Sequence, residues 1–312
     1  KDFINEDVKT GLEKALIRTG RNSRITSPQN IPVLDEIAAE NATGNIKNVY
    51  AAIESALGVK LVNLVYRHLA TVPGALEWAW STVGPSFENG VFAEQSGLLG
   101  LVGDTSVTSR VSFDQAGLSE EEGNRVVETL SAYNRANPMN ALSLRVIAMA
   151  LEAGRPALWR APVSKTTGTK ITGEVTPGEL SVLLPMAPLD GLPPATMDSL
   201  YRLARLTTGQ DRGLVPSLFR HFTAWPALLT ALADWLEPLA KEGVIEGQVA
   251  RISALADEIA QDIFAQLDRP EHGAVLPDAA TRETLLQTIE IFPPAICRMI
   301  VIGGLLHKAV RP

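Results

Sequence analysis

A chain of 312 residues, 46% of them apolar and 20% charged, can bury two ordinary cores or one large pseudo-symmetric one, which excludes an intrinsically disordered protein. A net charge of −7, from 28 Lys and Arg against 35 Asp and Glu, leaves no surplus for a basic face and excludes a nucleic-acid partner. The single cysteine, Cys297, excludes an intramolecular disulfide; its place in the apolar run IFPPAICRMIVIGGLL reads as a buried, inert thiol.

Residues 1 to 31 carry Val8, Leu12, Ala15 and Leu16 at helical spacing and read as an amphipathic arm. Their alternating charge contains no signal-peptide core, so the expected location is the cytoplasm. Next, Leu61, Val62, Val65 and Leu69 recur with helical periodicity and predict a helix. Pro73 should end it and start another, because proline has no N–H to give and fits a first turn. Gly97-Leu-Leu-Gly100-Leu-Val-Gly103 reads as a loop, since it has neither the strand before it nor the clear helix after it that a dinucleotide fingerprint needs. Ser119-Glu120-Glu121-Glu122 is a capping box that opens a helix through Val126, Val127, Leu130 and Tyr133. Residues 160 to 194, rich in Pro, Gly and Thr, read as a crossover, with a short helix predicted from Thr176.

After the crossover the first half begins again. Residues 214 to 238 align without a gap on residues 61 to 85 at an offset of 226 − 73 = 153. Seven of the 25 positions are identical, among them Arg67/Arg220, His68/His221 and Pro73/Pro226. A period this long is not that of a solenoid, so the expected fold is all-α, two tandem helical repeats about a pseudo-twofold axis. The units are an arm (1–31), a first repeat (32–159), a linker (160–187) and a second repeat (188–312). The apolar C-terminal run, interrupted by Pro293, Pro294 and Arg298, is too short to span a membrane. Together with the unmatched arm it suggests a homodimer. A pocket between duplicated halves would lie at the seam.

The seam should therefore hold the chemistry. His68 and His221 have no carboxylate at helical spacing, so packed, hydrogen-bonded histidines are favoured over a metal bridge. No metal or cofactor is expected. Arg67 and Arg220 sit on apolar helices and must each find an anion, either a carboxylate or helix C-terminus of their own half or the carboxylate of a ligand. Tyr133-Asn134-Arg135-Ala136-Asn137-Pro138 is the densest polar patch in an apolar helical region, costly unless it faces a wet cavity.

These residues resemble a family. Arg67, Leu69, Ala70, Thr71, Pro73 and Gly74 in the first half, Tyr133, Asn134, Asn137 and Pro138 in the middle, and Pro216, Ser217, Phe219, Trp225 and Pro226 in the second are similar to the group I 2-haloacid dehalogenases. The resemblance implies an all-α duplicated fold and hydrolysis of small 2-haloalkanoic acids by direct water attack, without an ester intermediate. It places the water-holding asparagine at Asn137 and the water-activating aspartate at Leu218, after a retained Ser217. Two pocket aromatics fall on Leu61 and Leu64. A leucine cannot take a proton, so the base would have to be Asp211, in the loop before the second repeat helix, with Asp190 and Asp198 as weaker candidates. The implied ligand is a small carboxylic acid held by Tyr133, Asn134, Ser217 and one or both of Arg67 and Arg220. The alternative is a relative that binds a small apolar or carboxylate ligand without hydrolysing it.

Overall fold

The computed structural model describes residues 34–102, 110–154, 183–209, 215–267 and 275–310. The arm, Asp211, the helix expected from Thr176 and most of the linker lie outside the described residues. Eleven α-helices and no strand occur among them, in agreement with the all-α expectation: α1 (Gly44–Leu57), α2 (Leu64–Leu69), α3 (Ala75–Glu88), α4 (Val91–Val102), α5 (Glu120–Ala153), α6 (Pro194–Thr208), α7 (Ser217–Arg220), α8 (Pro226–Lys241), α9 (Val244–Ala265), α10 (Ala279–Ile289) and α11 (Phe292–Ala309).

Part of the helix spacing recurs at the offset read from the sequence. α2 and α7 begin 217 − 64 = 153 residues apart, and α4 and α9 begin 244 − 91 = 153 apart. α1 packs on α3 as α6 packs on α8, and α4 packs on α9. α5 packs against α1, α3, α4, α7, α9, α10 and α11. Buried side chains run in one cluster through every helix, from Ile53 and Trp78 to Leu229 and Leu306.

Local chemistry explains the helix ends. Ser119 opens α5 with the expected capping box: its hydroxyl accepts from the Glu122 N–H at 3.3 Å, and the Glu122 carboxylate accepts from the Ser119 N–H at 2.8 Å. Pro138 does not end this helix, which continues to Ala153. Proline only deprives the Asn134 carbonyl of its helical donor, and packing on both sides holds the turn together. In the second half the corresponding apolar stretch does break. α10 stops at Ile289, and Pro293 falls in the first turn of α11, where a missing N–H costs nothing. The run from Ala279 to Ala309 is long and apolar enough to cross a membrane, yet it is mostly buried in the fold, as core helices are.

Three expectations need correction. The helix predicted from Leu61 begins only at Leu64, so Leu61 and Val62 lie in its entry turn. Pro226 starts α8, but Pro73 stands two residues ahead of α3; Gly74, at φ +76°, occupies the cap position instead, a conformation glycine adopts without strain. Gly97 to Val102 are helical, not a loop. Phe92 and Leu99 are fully buried, and that packing outweighs the two glycines in α4.

Arg145 ties three helices together. From α5 its guanidinium donates to Asp257 at 2.5 Å and Ser253 at 3.1 Å on α9, and to the Cys297 sulfur at 3.5 Å on α11. Cys297 is fully buried, as the sequence suggested, and burial pushes its thiol above the usual range.

Candidate functional site

α2 and α7 are short because each is squeezed between a proline-bearing or turn segment and the helix after it. α2 carries the repeated Arg-His pair in its last turn, whereas α7 ends at Arg220 and His221 caps its C-terminus. In both halves the histidine Nδ1 meets a backbone carbonyl of the segment that precedes the half's first helix: His68 with Asp35 at 2.7 Å, and His221 with Leu184 at 2.5 Å. A carbonyl accepts only, so Nδ1 of His221 carries the proton and its Nε2 is left as an acceptor. Tyr133, from α5, supplies the donor, its hydroxyl 3.1 Å from that Nε2. Burial lowers the His221 pKa, and the neighbouring Arg220 charge adds to this, so the imidazole is neutral. Burial likewise drives Tyr133 well above the usual tyrosine range, against the pull of Ser217 and of both arginines. The pair therefore holds a neutral hydroxyl in place and is a poor source of a base.

Tyr133, Asn137 and Asn140 share one face of α5, within an arc of about 60° at 3.6 residues per turn. That face meets both halves: Tyr133 reaches His221 and Ser217, and Ser143, at its edge, bonds the Tyr66 hydroxyl of α2 at 2.9 Å. Asn137 is 5% exposed, and its amide makes no hydrogen bond among the described residues. Asn140 is fully buried, with neither amide atom partnered. Asn134 is turned away from them. It donates to the Gly303 carbonyl of α11 at 3.0 Å, in a contact so close that a Cβ on Gly303 would lie 2.1 Å from its Oδ1.

The two arginines come within electrostatic reach of one another and of Tyr133. Their compensation differs. Arg67 Nε lies 3.0 Å from the Glu36 carboxylate, an ion pair by distance whose N–H is not aligned for a hydrogen bond. Arg220 donates to the carbonyl of Ala187 through Nε at 3.2 Å and Nη2 at 3.0 Å, and among the described residues no carboxylate faces it directly. Among the described residues two guanidinium groups stand against one carboxylate, which leaves one positive charge, and burial together with Arg67 lowers the Arg220 pKa.

Leu218, at the start of α7, is fully buried. Leu61 and Leu64 are half-buried at the entry to α2 and pack on the core. Asp190 and Asp198 are exposed, so neither stands in the buried seam. Among the described residues no group of three His, Cys, Asp or Glu could hold a metal. The sequence missed Glu36 and Asn140, and no local signal marks either; His221 was read only as a packed histidine.

No family model matches the chain. By sequence it is 30% identical over 111 residues to an (R)-2-haloacid dehalogenase of Pseudomonas putida, an alignment covering 33% of this chain and 36% of that protein's length. By structure it is similar to a D-2-haloacid dehalogenase mutant (TM-score 0.72, 16% identity), to a mutant of that enzyme in complex with D-2-CPA (0.70, 16%) and to the enzyme in complex with L-LA (0.65, 15%). Each superposition takes in 89% of this chain and at least 96% of the other. The chain thus has the all-α fold of the D-2-haloacid dehalogenases, and the resemblance read from its residues recurs in both comparisons.

Proposed function

We propose that this dehalogenase-like protein holds a small 2-substituted carboxylic acid in the seam between its halves, and that it hydrolyses a 2-halo substituent weakly or not at all. The observation that carries the binding half of this reading is Arg220. It is half-buried beside a second arginine, faces no carboxylate of its own half among the described residues, and stands next to the Tyr133 and Ser217 hydroxyls. A carboxylate there would restore charge balance and gain charge-assisted hydrogen bonds. The relatives named above act on haloacids, and the substrate class comes to this chain by that likeness.

What supports weak hydrolysis is that, among the described residues, the position the resemblance gives to the base holds no proton acceptor, and the one carboxylate seen at the seam, Glu36, is in an ion pair with Arg67. That position is Leu218, and the neutral Tyr133–His221 pair is a poor acceptor. The carboxylates of Asp190 and Asp198 point to solvent. Titration calorimetry with 2-chloropropionate tests the binding: the native protein takes up the acid, and Arg220→Gln weakens it roughly 10- to 100-fold, the range of a charged hydrogen bond. Equal affinity in the two proteins overturns the assignment.

A second reading keeps hydrolysis, with Asp211 as the base. It is favoured by the Asn137 amide, which is slightly exposed, otherwise unengaged, and free to hold a water. Robust halide release by the native protein that disappears in Asp211→Asn would establish it.

A further inference from the structure

Glu36 lies on the chain that enters α1, and nothing in the repeated sequence marks it. It is the only carboxylate seen to pair with either seam arginine among the described residues. Its segment is firmly seated. The Ile37 N–H donates to the Arg67 carbonyl at 3.0 Å, the Tyr50 hydroxyl donates to the Ile37 carbonyl at 2.8 Å, and the Asp35 carbonyl meets His68. The Glu36 charge is felt by Arg220 as well as by Arg67. The carboxylate itself is loosely held: its side chain is 33% exposed against 11% for Arg67, and the Arg67 Nε–H does not point at it.

We infer that Glu36 is a specificity-determining residue that restricts the seam to ligands with a single carboxylate. The inference rests on the binding site proposed above. With Glu36 in place the described residues of the seam carry one uncompensated positive charge, which one carboxylate neutralises. A second carboxylate on the same small ligand would have to share Arg67 with Glu36, and two like charges at one guanidinium in a half-buried place repel strongly. Removing the Glu36 charge leaves two arginines and room for two carboxylates.

Titration calorimetry of propionate and malonate against the native protein, Glu36→Gln and Glu40→Gln tests this. Glu40 is an exposed carboxylate four residues on, so Glu40→Gln controls for a general change in net charge. The native protein should prefer propionate. Glu36→Gln should tighten malonate roughly tenfold to a hundredfold, the scale of one charge at close range, and propionate by much less. Glu40→Gln should leave the ratio of the two affinities as in the native protein. A native protein that binds malonate as well as propionate overturns the inference, and so does a ratio unchanged in Glu36→Gln or moved equally by Glu40→Gln. Those outcomes leave the carboxylate site itself standing. Failure of every variant to bind either acid overturns the site and the inference together.

Discussion

The two halves bring the same arginine and histidine to the seam and then treat them differently. Arg67 is met by Glu36, from the chain entering its own half, whereas among the described residues the equivalent chain before α6 gives Arg220 the Ala187 carbonyl and no carboxylate. His68 meets one carbonyl; His221 meets a carbonyl and Tyr133. Repetition of a residue pair explains the architecture, since each pair anchors its half's entry segment. The proposed carboxylate site rests on the mismatch, because a fully symmetric seam would have its charges cancelled on both sides.

The largest way to break this comparison is at Leu218, which occupies the place of Val65 in the first half, 218 − 65 = 153 residues earlier; both are buried. Leu218→Asp would add a proton acceptor beside Arg220. Halide release from 2-chloropropionate should rise from weak or undetectable by about 10² to 10⁴, the usual contribution of a positioned base. Burial would raise that carboxylate's pKa, so the gained activity should increase with pH above the ordinary aspartate range. A folded Leu218→Asp protein that still binds the acid and shows no gain would mean that Leu218 does not stand where water is activated.

Much of this was legible in sequence because it depends on neighbours a few residues apart. The Ser119–Glu122 capping box, the proline that opens α8 and the repeated Arg-His pair all follow from spacing. The glycines of α4 misled, since propensity favours a loop there and only the burial of Phe92 and Leu99 makes the segment helical. The asymmetry of the arginines was out of reach of any local reading: Glu36 lies 67 − 36 = 31 residues before its partner, and Ala187 lies 220 − 187 = 33 before Arg220. The polar patch was found, but its division was not. Asn134 turns to α11 while Asn137 lies on the Tyr133 face of the helix, a difference set by helix phase and by the tight approach at Gly303.

A smaller test concerns the floor that the two halves share. Asn140 has both amide atoms buried without partners, which costs about 1–3 kcal/mol per unsatisfied group. Asn140→Leu is close in shape and removes that cost. The variant should match or exceed the native protein in thermal stability, by up to a few degrees for a chain of this size. A clear loss of stability in Asn140→Leu would show that the amide is engaged, and the α5 face would then be a fully satisfied structural surface.

The smallest expected effect sharpens the comparison of the histidines. The His221 pKa is lowered from 6.5, with burial the first cause and the Arg220 charge opposing protonation further. An imidazole that titrates lower when folded binds fewer protons in the native state than in the unfolded one. Its contribution is thus fully present above the unfolded value of 6.5 and is lost as pH falls from there towards the folded pKa. One proton limits the slope to about 1.4 kcal/mol per pH unit. Denaturant melts between pH 7 and 5 should show stability falling with acid, and His221→Gln should make the fall shallower. Tyr133→Phe removes the hydroxyl partner but leaves the ring buried against the imidazole, so it should keep most of the slope. A slope that survives His221→Gln unchanged would assign the acid sensitivity to other groups. One that vanishes in Tyr133→Phe would make the hydroxyl, rather than burial, the cause of the neutral imidazole.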